Sequence, residues 1–276
     1  VSIRAEGPSP ADRPPGALRV GLSRGLLEIR EFAHAWKSVI LTFSLPALVL
    51  AMLSSLLDGV FAGTSAVDHY LPGLIAMGLM SVSFQNLGLS IAQERDTGGL
   101  RRLRGTPMPP TAYFVGKTVL VMFLALGQVA LLLGVARLAF GARLPADPAA
   151  WATLGWVLLL GTASCSLLGI AVSSLVRDSR SASGIVIAPF LVLRFTSGIF
   201  VPVAVLPGWV VDAASLFPLL WMAQGLRAAF LPAGAAALEP GGAWNPPSVA
   251  LALGVWCVVG LALVLLTFRW KAGKDG

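Results

Sequence analysis

Three groups of residues in this chain have side chains suited to chemistry or to the transfer of force. Gly116-Lys117-Thr118 has the ending of a phosphate-binding loop. That loop needs G-x-x-x-x-G-K-[ST], with glycines that let backbone amides close on the phosphates, and the first glycine position is Thr111. The tripeptide opens an apolar run instead of following a strand, so ATP hydrolysis by this chain is not expected. Its 13 acids are scattered and lie almost wholly outside the apolar runs. No converging acids, Ser/His pair or metal-ligand set of a membrane hydrolase or glycosyltransferase emerges, and no metal site is expected. Asp58 and Asp68, ten residues apart in one loop, read as solvated charges.

The second group is residues 93–110, QERDTGGLRRLRGTPMPP, with four arginines, one glutamate and one aspartate between two apolar runs. Glu94 and Asp96 favour a helix N-terminus, Arg101, Arg102 and Arg104 its C-terminal end, and Pro107 a stop, while Leu100 and Leu103 share a face. The expectation is a small docking helix, too short to be stable alone. The plainer reading is that the arginines only fix topology. The third group surrounds Arg194, which lies 14 residues beyond Arg180, roughly 21 Å along an ideal helix. An arginine at that depth costs about 2.5–3.5 kcal/mol on insertion scales, so it faces a bundle interior, a cavity or a partner. It is either a structural pair or a lining residue of a transport route. Gln85, Asn86 and Gln128 read as hydrogen-bonding glue between helices or as cargo contacts. Phe84, Phe190, Phe195 and Phe200 are candidates to line an apolar cleft.

The elements that carry these residues are membrane spans. Hydrophobic residues make up 56% of the 276-residue chain against 12% charged, and the mean hydropathy is +0.81. A soluble enzyme is excluded. Residues 70–93 contain no Asp, Glu, Lys or Arg over 24 positions and residues 118–136 none over 19, and about 20 apolar residues cross a bilayer core. Six stretches qualify: 38–57, 71–92, 112–135, 153–176, 181–203 and 249–268. The apolar stretch 213–226 is too short and contains Pro218, so it reads as re-entrant or interfacial. Of the 20 basic residues, 16 fall on one side of this six-span arrangement, Arg137, Arg143 and Arg227 on the other, and Arg194 within a span. That bias, and not nucleic-acid binding, accounts for the net charge of +7, and it assigns both termini and the 93–110 loop to the cytoplasm. Anionic lipid is a further partner for the basic side.

Residues 1–16, with four prolines, are expected to be a disordered cytoplasmic tail, and no secretory signal is read in the first 37 residues. Residues 17–37 are expected to form an amphipathic interfacial helix with Leu18, Leu22, Leu26, Ile29, Ala33 and Trp36 as its apolar stripe. Residues 38–268 then hold the six-span unit, with 93–110 as a cytoplasmic loop and 204–231 as an outer re-entrant segment, and 269–276 close the chain as a cytoplasmic tail. Pro202, Pro207, Gly208 and Pro218 break the outer segment, and Trp209 and Trp221 suit its interface. Cys165 and Cys257 read as buried thiols.

Glu94-Arg95-Asp96, Gly98, Leu100, Leu103, Thr106-Pro107 and Gly116-Lys117 resemble the E-R-E-x-G-T-L-x-x-L-x-x-T-P … G-K signature of the membrane subunits of ABC exporters in the drug, lipid and polysaccharide export class. The likeness is to the daunorubicin-resistance type of permease in particular. Gly99 replaces the usual Thr, and Asp96 the frequent Glu. Ser197-Gly198-Ile199-Phe200-Val201-Pro202, then Pro207-Gly208-Trp209, Pro218 and Leu226-Arg227, resemble the same family's S-G-x-F-x-P … P-x-W … P … L-R pattern.

The resemblance implies an all-α permease of the cell membrane, paired with an identical or related permease and driven by two copies of a separate cytoplasmic ATPase that holds the ATP and Mg. Glu94, Arg95, Asp96, Gly98, Leu100, Leu103, Thr106 and Pro107 would couple it to that ATPase. Gln85, Asn86, Phe190, Arg194, Phe195, Ser197, Gly198 and Phe200 would border the route of an amphipathic drug, antibiotic or lipid cargo. By the same resemblance, short re-entrant helices cap the outer end. A membrane scaffold that moves nothing would need neither the docking loop nor the broken outer segment. An ion-coupled transporter would need an acid within a span, and none is read there.

Overall fold

A computed structural model describes residues 16–57, 65–106, 108–145, 147–176 and 179–267, all helix, turn or loop, with no strand among the described residues. Residues 1–15, 58–64, 107, 146, 177–178 and 268–276 lie outside the described residues, as does the side chain of Trp36. The helices are α1 (Ala17–His34), α2 (Trp36–Leu56), α3 (Ala66–Met80), α4 (Leu87–Asp96), α5 (Gly99–Arg104), α6 (Pro110–Phe140), α7 (Pro148–Ser173), α8 (Ser179–Thr196), α9 (Gly208–Ser215), α10 (Pro218–Phe230) and α11 (Pro246–Thr267). A π-helical turn, Ser81–Asn86, joins α3 to α4. Proline supplies the first residue of α6, α7 and α10, where its missing N–H costs no hydrogen bond.

Four helical stretches are long and apolar enough to cross a membrane: Ala66–Asp96, Pro110–Phe140, Pro148–Ser173 and Pro246–Thr267. Two of the six stretches expected to span, in α2 and α8, form shorter apolar helices, Thr42–Leu56 and Gly184–Thr196, within the described residues. Helices α9 and α10 together pass the same test but are bent by 97°, so this segment is a broken span or a re-entrant pair.

Burial separates centre from periphery. In the apolar window of Ala66–Asp96, 72% of residues are buried, against 22% for α11. A helix apolar all round and enclosed by protein is the core, whereas α11 turns Leu251, Val255, Val258 and Leu265 outward. Around α3 pack α2, α6, α7 and α10. At one end of the bundle Asp68, in the first turn of α3, accepts the Arg143 backbone N–H at 2.8 Å just beyond α6. At the other, the last turn of α4 meets the start of α6 and the end of α7. The first three long stretches therefore run antiparallel in turn.

The π turn is braced by a backbone approach. A Cβ on Gly169 of α7 would lie 2.7 Å from the Phe84 carbonyl oxygen and 3.2 Å from that of Ser83. Gly169→Ala is expected to force α7 away from the turn and cost about 1–3 kcal/mol, the range for overpacking. Gly155→Ala, with nothing within 4 Å, should be neutral. Thermal unfolding of the two purified variants in one detergent checks the contrast.

Helix α1 departs from the expected amphipathic register. It ends at His34, and Ala35 (φ −81°, ψ 61°) separates it from α2. Its buried face is Gly21, Gly25 and Glu28, whereas Leu18, Leu22 and Leu26 of the apolar stripe are exposed. Two glycines one turn apart let the helix lie on α6, where their Cβ atoms would come 2.6 Å and 2.7 Å from those of Val115 and Val119. The leucines are left for the surroundings, which is how an interfacial helix seats itself in a bilayer. Of the two cysteines, Cys165 is buried, but Cys257 is partly exposed.

Candidate functional site: the charged corner between the second and third long helices

The 93–110 segment folds differently from the single helix expected of it. Glu94, Arg95 and Asp96 form the last turn of α4, so they end one helix and do not start the next. Thr97 closes that helix, its N–H donating to the Gln93 carbonyl at 2.9 Å. Gly98 then takes φ +74°, a left-handed conformation open to glycine at little cost, and turns the chain into α5. The carboxylates consequently do not cap α5. After Arg104, the Thr106 hydroxyl donates back to the Leu103 carbonyl at 2.6 Å.

The corner has an inner and an outer face. Leu100 is 1% exposed and packs with Leu87, Ile91, Tyr113, Val121 and Ile170, with Leu103 against the same cluster. The two leucines therefore anchor α5 to the body of the bundle. An α5 of six residues can hold its shape only through such packing. Asp96, Arg101, Arg102 and Thr106 face outward.

Glu94 also points inward, into an ionic ring that spans three helices. The Tyr113 hydroxyl donates to Glu94 Oε2 at 2.9 Å, and the Lys117 ammonium donates to Glu94 Oε1. Lys117 Nζ also donates to Ser90 Oγ at 3.0 Å and pairs with Glu28 Oε2 of α1 at 3.2 Å. Arg24 Nε lies 3.0 Å from Glu28 Oε1, and its Nη2 is 3.9 Å from Glu94 Oε2. Both cations also flank the Tyr113 ring, at 5.1 Å for Arg24 and 5.6 Å for Lys117. Arg95 ties the same corner to α7 by donating from Nη1 to the Ser173 carbonyl at 2.6 Å.

Sequence reasoning missed Tyr113, Glu28 and the pairing of Lys117. The i, i+4 spacing of Arg24 and Glu28 and the Gly21-x-x-x-Gly25 spacing were the available signals. It also missed Glu239. At the far end, Arg227 and Glu239 form an ion pair whose side chains are 5% and 3% exposed. Arg227 Nη2 donates to Glu239 Oε2 at 2.9 Å, Nε donates to Oε1, and Nη1 donates to the Gly198 carbonyl at 3.1 Å. One guanidinium thus fastens α10, the 233–242 turns and the turn after α8, where Gly198 has φ +73°.

The residues expected to border a cargo route fall into separate groups. Gln85 and Asn86 occupy the π turn, a feature common at functional sites, and Asn86 Nδ2 donates to Thr42 Oγ1 of α2 at 3.4 Å. Helix α8 packs on that turn. On α8, Phe190 is buried with the Arg194 guanidinium 5.1 Å from its ring centroid. Arg194 Nε has no hydrogen-bond partner among the described residues. Phe195, 55% exposed, sits 5.3 Å from Phe200 between ring centroids. Ser197 is fully buried, and Gly198 belongs to the Arg227 tie.

A bundle of long apolar helices carrying a charged, outward-facing corner is the architecture of a multi-pass membrane transport protein. Residues 51–269 match the model of the ABC-2 family transporter protein, and the chain belongs to that family. A Bacillus subtilis (strain 168) protein described as "Putative transport permease YvfS" is 27% identical over 146 residues, which is 50% of this chain and 56% of the relative. The similarity therefore spans about half the length of each protein.

Proposed function

We propose that this chain is the membrane subunit of an ATP-driven exporter. It crosses the membrane six times, with both termini and the 93–110 loop in the cytoplasm, and pairs with an identical or related permease. Two copies of a separate ATPase bind ATP and Mg and grip α5. The observation that carries this reading is the two-faced corner: Leu100, Glu94 and Arg95 bind it to the body of the bundle, while Asp96, Arg101 and Arg102 are left exposed. A segment anchored on one side and charged on the other transmits a push, provided that a partner takes its free face. The cargo is an amphipathic drug, antibiotic or lipid moving from the cytoplasm or inner leaflet outward, past the π turn and α8 and under the cap formed by α9 and α10. Arg194, shielded on one side by Phe190, meets polar or anionic groups of that cargo.

Affinity purification of the tagged permease from its native membrane in mild detergent tests the reading. An ABC ATPase should copurify, and candidate cargoes should stimulate its ATP hydrolysis. A permease that purifies intact without an ATPase, or an ATPase indifferent to every amphipathic compound tried, would count against it. Topology is tested separately with single cysteines at Ser65 and Ala272 in a background lacking Cys165 and Cys257. An impermeant thiol reagent on intact cells should label only position 65, and equal labelling of both would refute the assignment.

A further inference from the structure

We infer that Lys117 is a positioning residue that makes α1, the α4–α5 corner and α6 move as one body, so that a push on α5 carries α1 with it. The inference rests on the reading of this chain as an ATP-driven permease.

Helix α1 packs along α6, and its Phe32 meets Phe43 of α2 edge to face, with ring centroids 6.4 Å apart. Its large apolar side chains, Leu18, Leu22, Leu26 and Leu27, are 45–66% exposed. Its contact with α6 is made through Gly21 and Gly25, which lie against Val115 and Val119 with no large side chain of their own to interlock. Such a seam brings the two backbones close and seats the valines over the glycines. The directional contacts added to that packing are the ions. Lys117 is 3% exposed; its ammonium donates to Glu94 and Ser90 and pairs with Glu28 at 3.2 Å. Arg24 reaches the same two acids, at 3.0 Å and 3.9 Å. Two cations and two carboxylates therefore form a neutral ring in which each carboxylate meets both cations. Tyr113 fills its centre, bonded to Glu94 and flanked by both cations.

Glu28 comes from α1, Glu94 and Ser90 from α4, and Lys117 and Tyr113 from α6. Removing the ammonium leaves Glu28 and the partly exposed Glu94 with only Arg24 between them, Arg24 being 3.9 Å from Glu94, and this loosens the tie between α1 and the corner. The signature glutamate of the corner thus acts inward, on α1 and α6, and a partner's grip falls on Asp96, Arg101 and Arg102.

The test uses the full chain in lipid nanodiscs and follows backbone hydrogen exchange by mass spectrometry. Lys117→Met should accelerate exchange in residues 17–34 and 99–104 together, leaving 246–267 unchanged. Glu28→Gln, on a helix outside the long spans, provides the same reading if Lys117→Met fails to fold, and Lys117→Arg should restore most of the protection. Once reconstituted with its ATPase, the Glu28→Gln complex should hydrolyse ATP at the wild-type rate but consume several-fold more ATP per cargo molecule moved. Loosening of 17–34 with 99–104 unchanged would mean that α1 is merely anchored by the ring and would overturn the inference, as would wild-type exchange throughout. If wild-type complexes show no ATP-dependent transport, the exporter reading fails, while the exchange result still decides whether the ring joins the three helices.

Discussion

Replacing Arg227 by leucine is expected to destabilise the α10 end of this permease by about 3–5 kcal/mol, the usual cost of orphaning one member of a buried ion pair. Both partners are almost fully enclosed, with side chains 5% and 3% exposed, so Glu239 would lose its partner with little water to replace the guanidinium. The Gly198 carbonyl would lose its donor at the same time, freeing the turn after α8. Glu239→Leu should be equally harmful, because it strands the cation. Arg227→Met combined with Glu239→Leu should return most of the stability, since an apolar pair of similar volume is often neutral relative to the ions it replaces. Arg227→Lys should fall between these, since a lysine keeps the charge but cannot present the parallel pair of N–H donors. Melting temperatures in detergent, with limited proteolysis between α10 and α11 as a local probe, measure the series. A double variant no better than its singles would mean that the site is held by something other than the pair.

Leu100→Asp is the second large effect, and it should act by detaching α5 and not by spoiling a surface contact. Truncating a buried leucine to alanine costs about 2–5 kcal/mol, and an aspartate adds the desolvation of a charge. Leu100 is 1% exposed among Leu87, Ile91, Tyr113, Val121 and Ile170, so the expected result is a corner that no longer docks on the bundle. Arg101→Ala and Arg102→Ala offer the comparison. Both side chains are exposed, and surface substitutions of this kind usually stay within about ±0.5 kcal/mol. Their proteins should melt like the wild type and yet recover less ATPase on purification. If Leu100→Asp melts normally and loses the ATPase, α5 presents its leucine face to the partner, and the division between inner and outer faces is wrong.

The readings that survived rest on local regularities. Runs of 19 and 24 residues without a charge, and prolines at their edges, place the long helices because length and hydrophobicity are properties of a contiguous segment. The two blocks of residues resembling the ABC exporter permeases pointed to the family that residues 51–269 match. The alternation of apolar and charged residues was less reliable in the short elements. On α1 it marked a leucine stripe, but Leu18, Leu22 and Leu26 are exposed and the side that meets protein is the one with Gly21, Gly25 and Glu28, because small residues let α1 and α6 approach closely. In the 93–110 segment the acids appeared to begin a helix, and the left-handed turn at Gly98 assigns them to the end of the preceding one.

By itself the sequence determined that the chain is a helical membrane protein, where its long apolar helices run and where its charged corner lies, since each follows from composition and periodicity over neighbouring residues. Only the tertiary structure decided that Glu94 and Leu100 turn inward, that Lys117 joins α1 to that corner, and that Arg227 finds Glu239. Those partners are brought together by packing between segments far apart in the chain. A charged side chain displays its sign in the sequence, but which opposite charge shares its burial is settled only when the helices close around both.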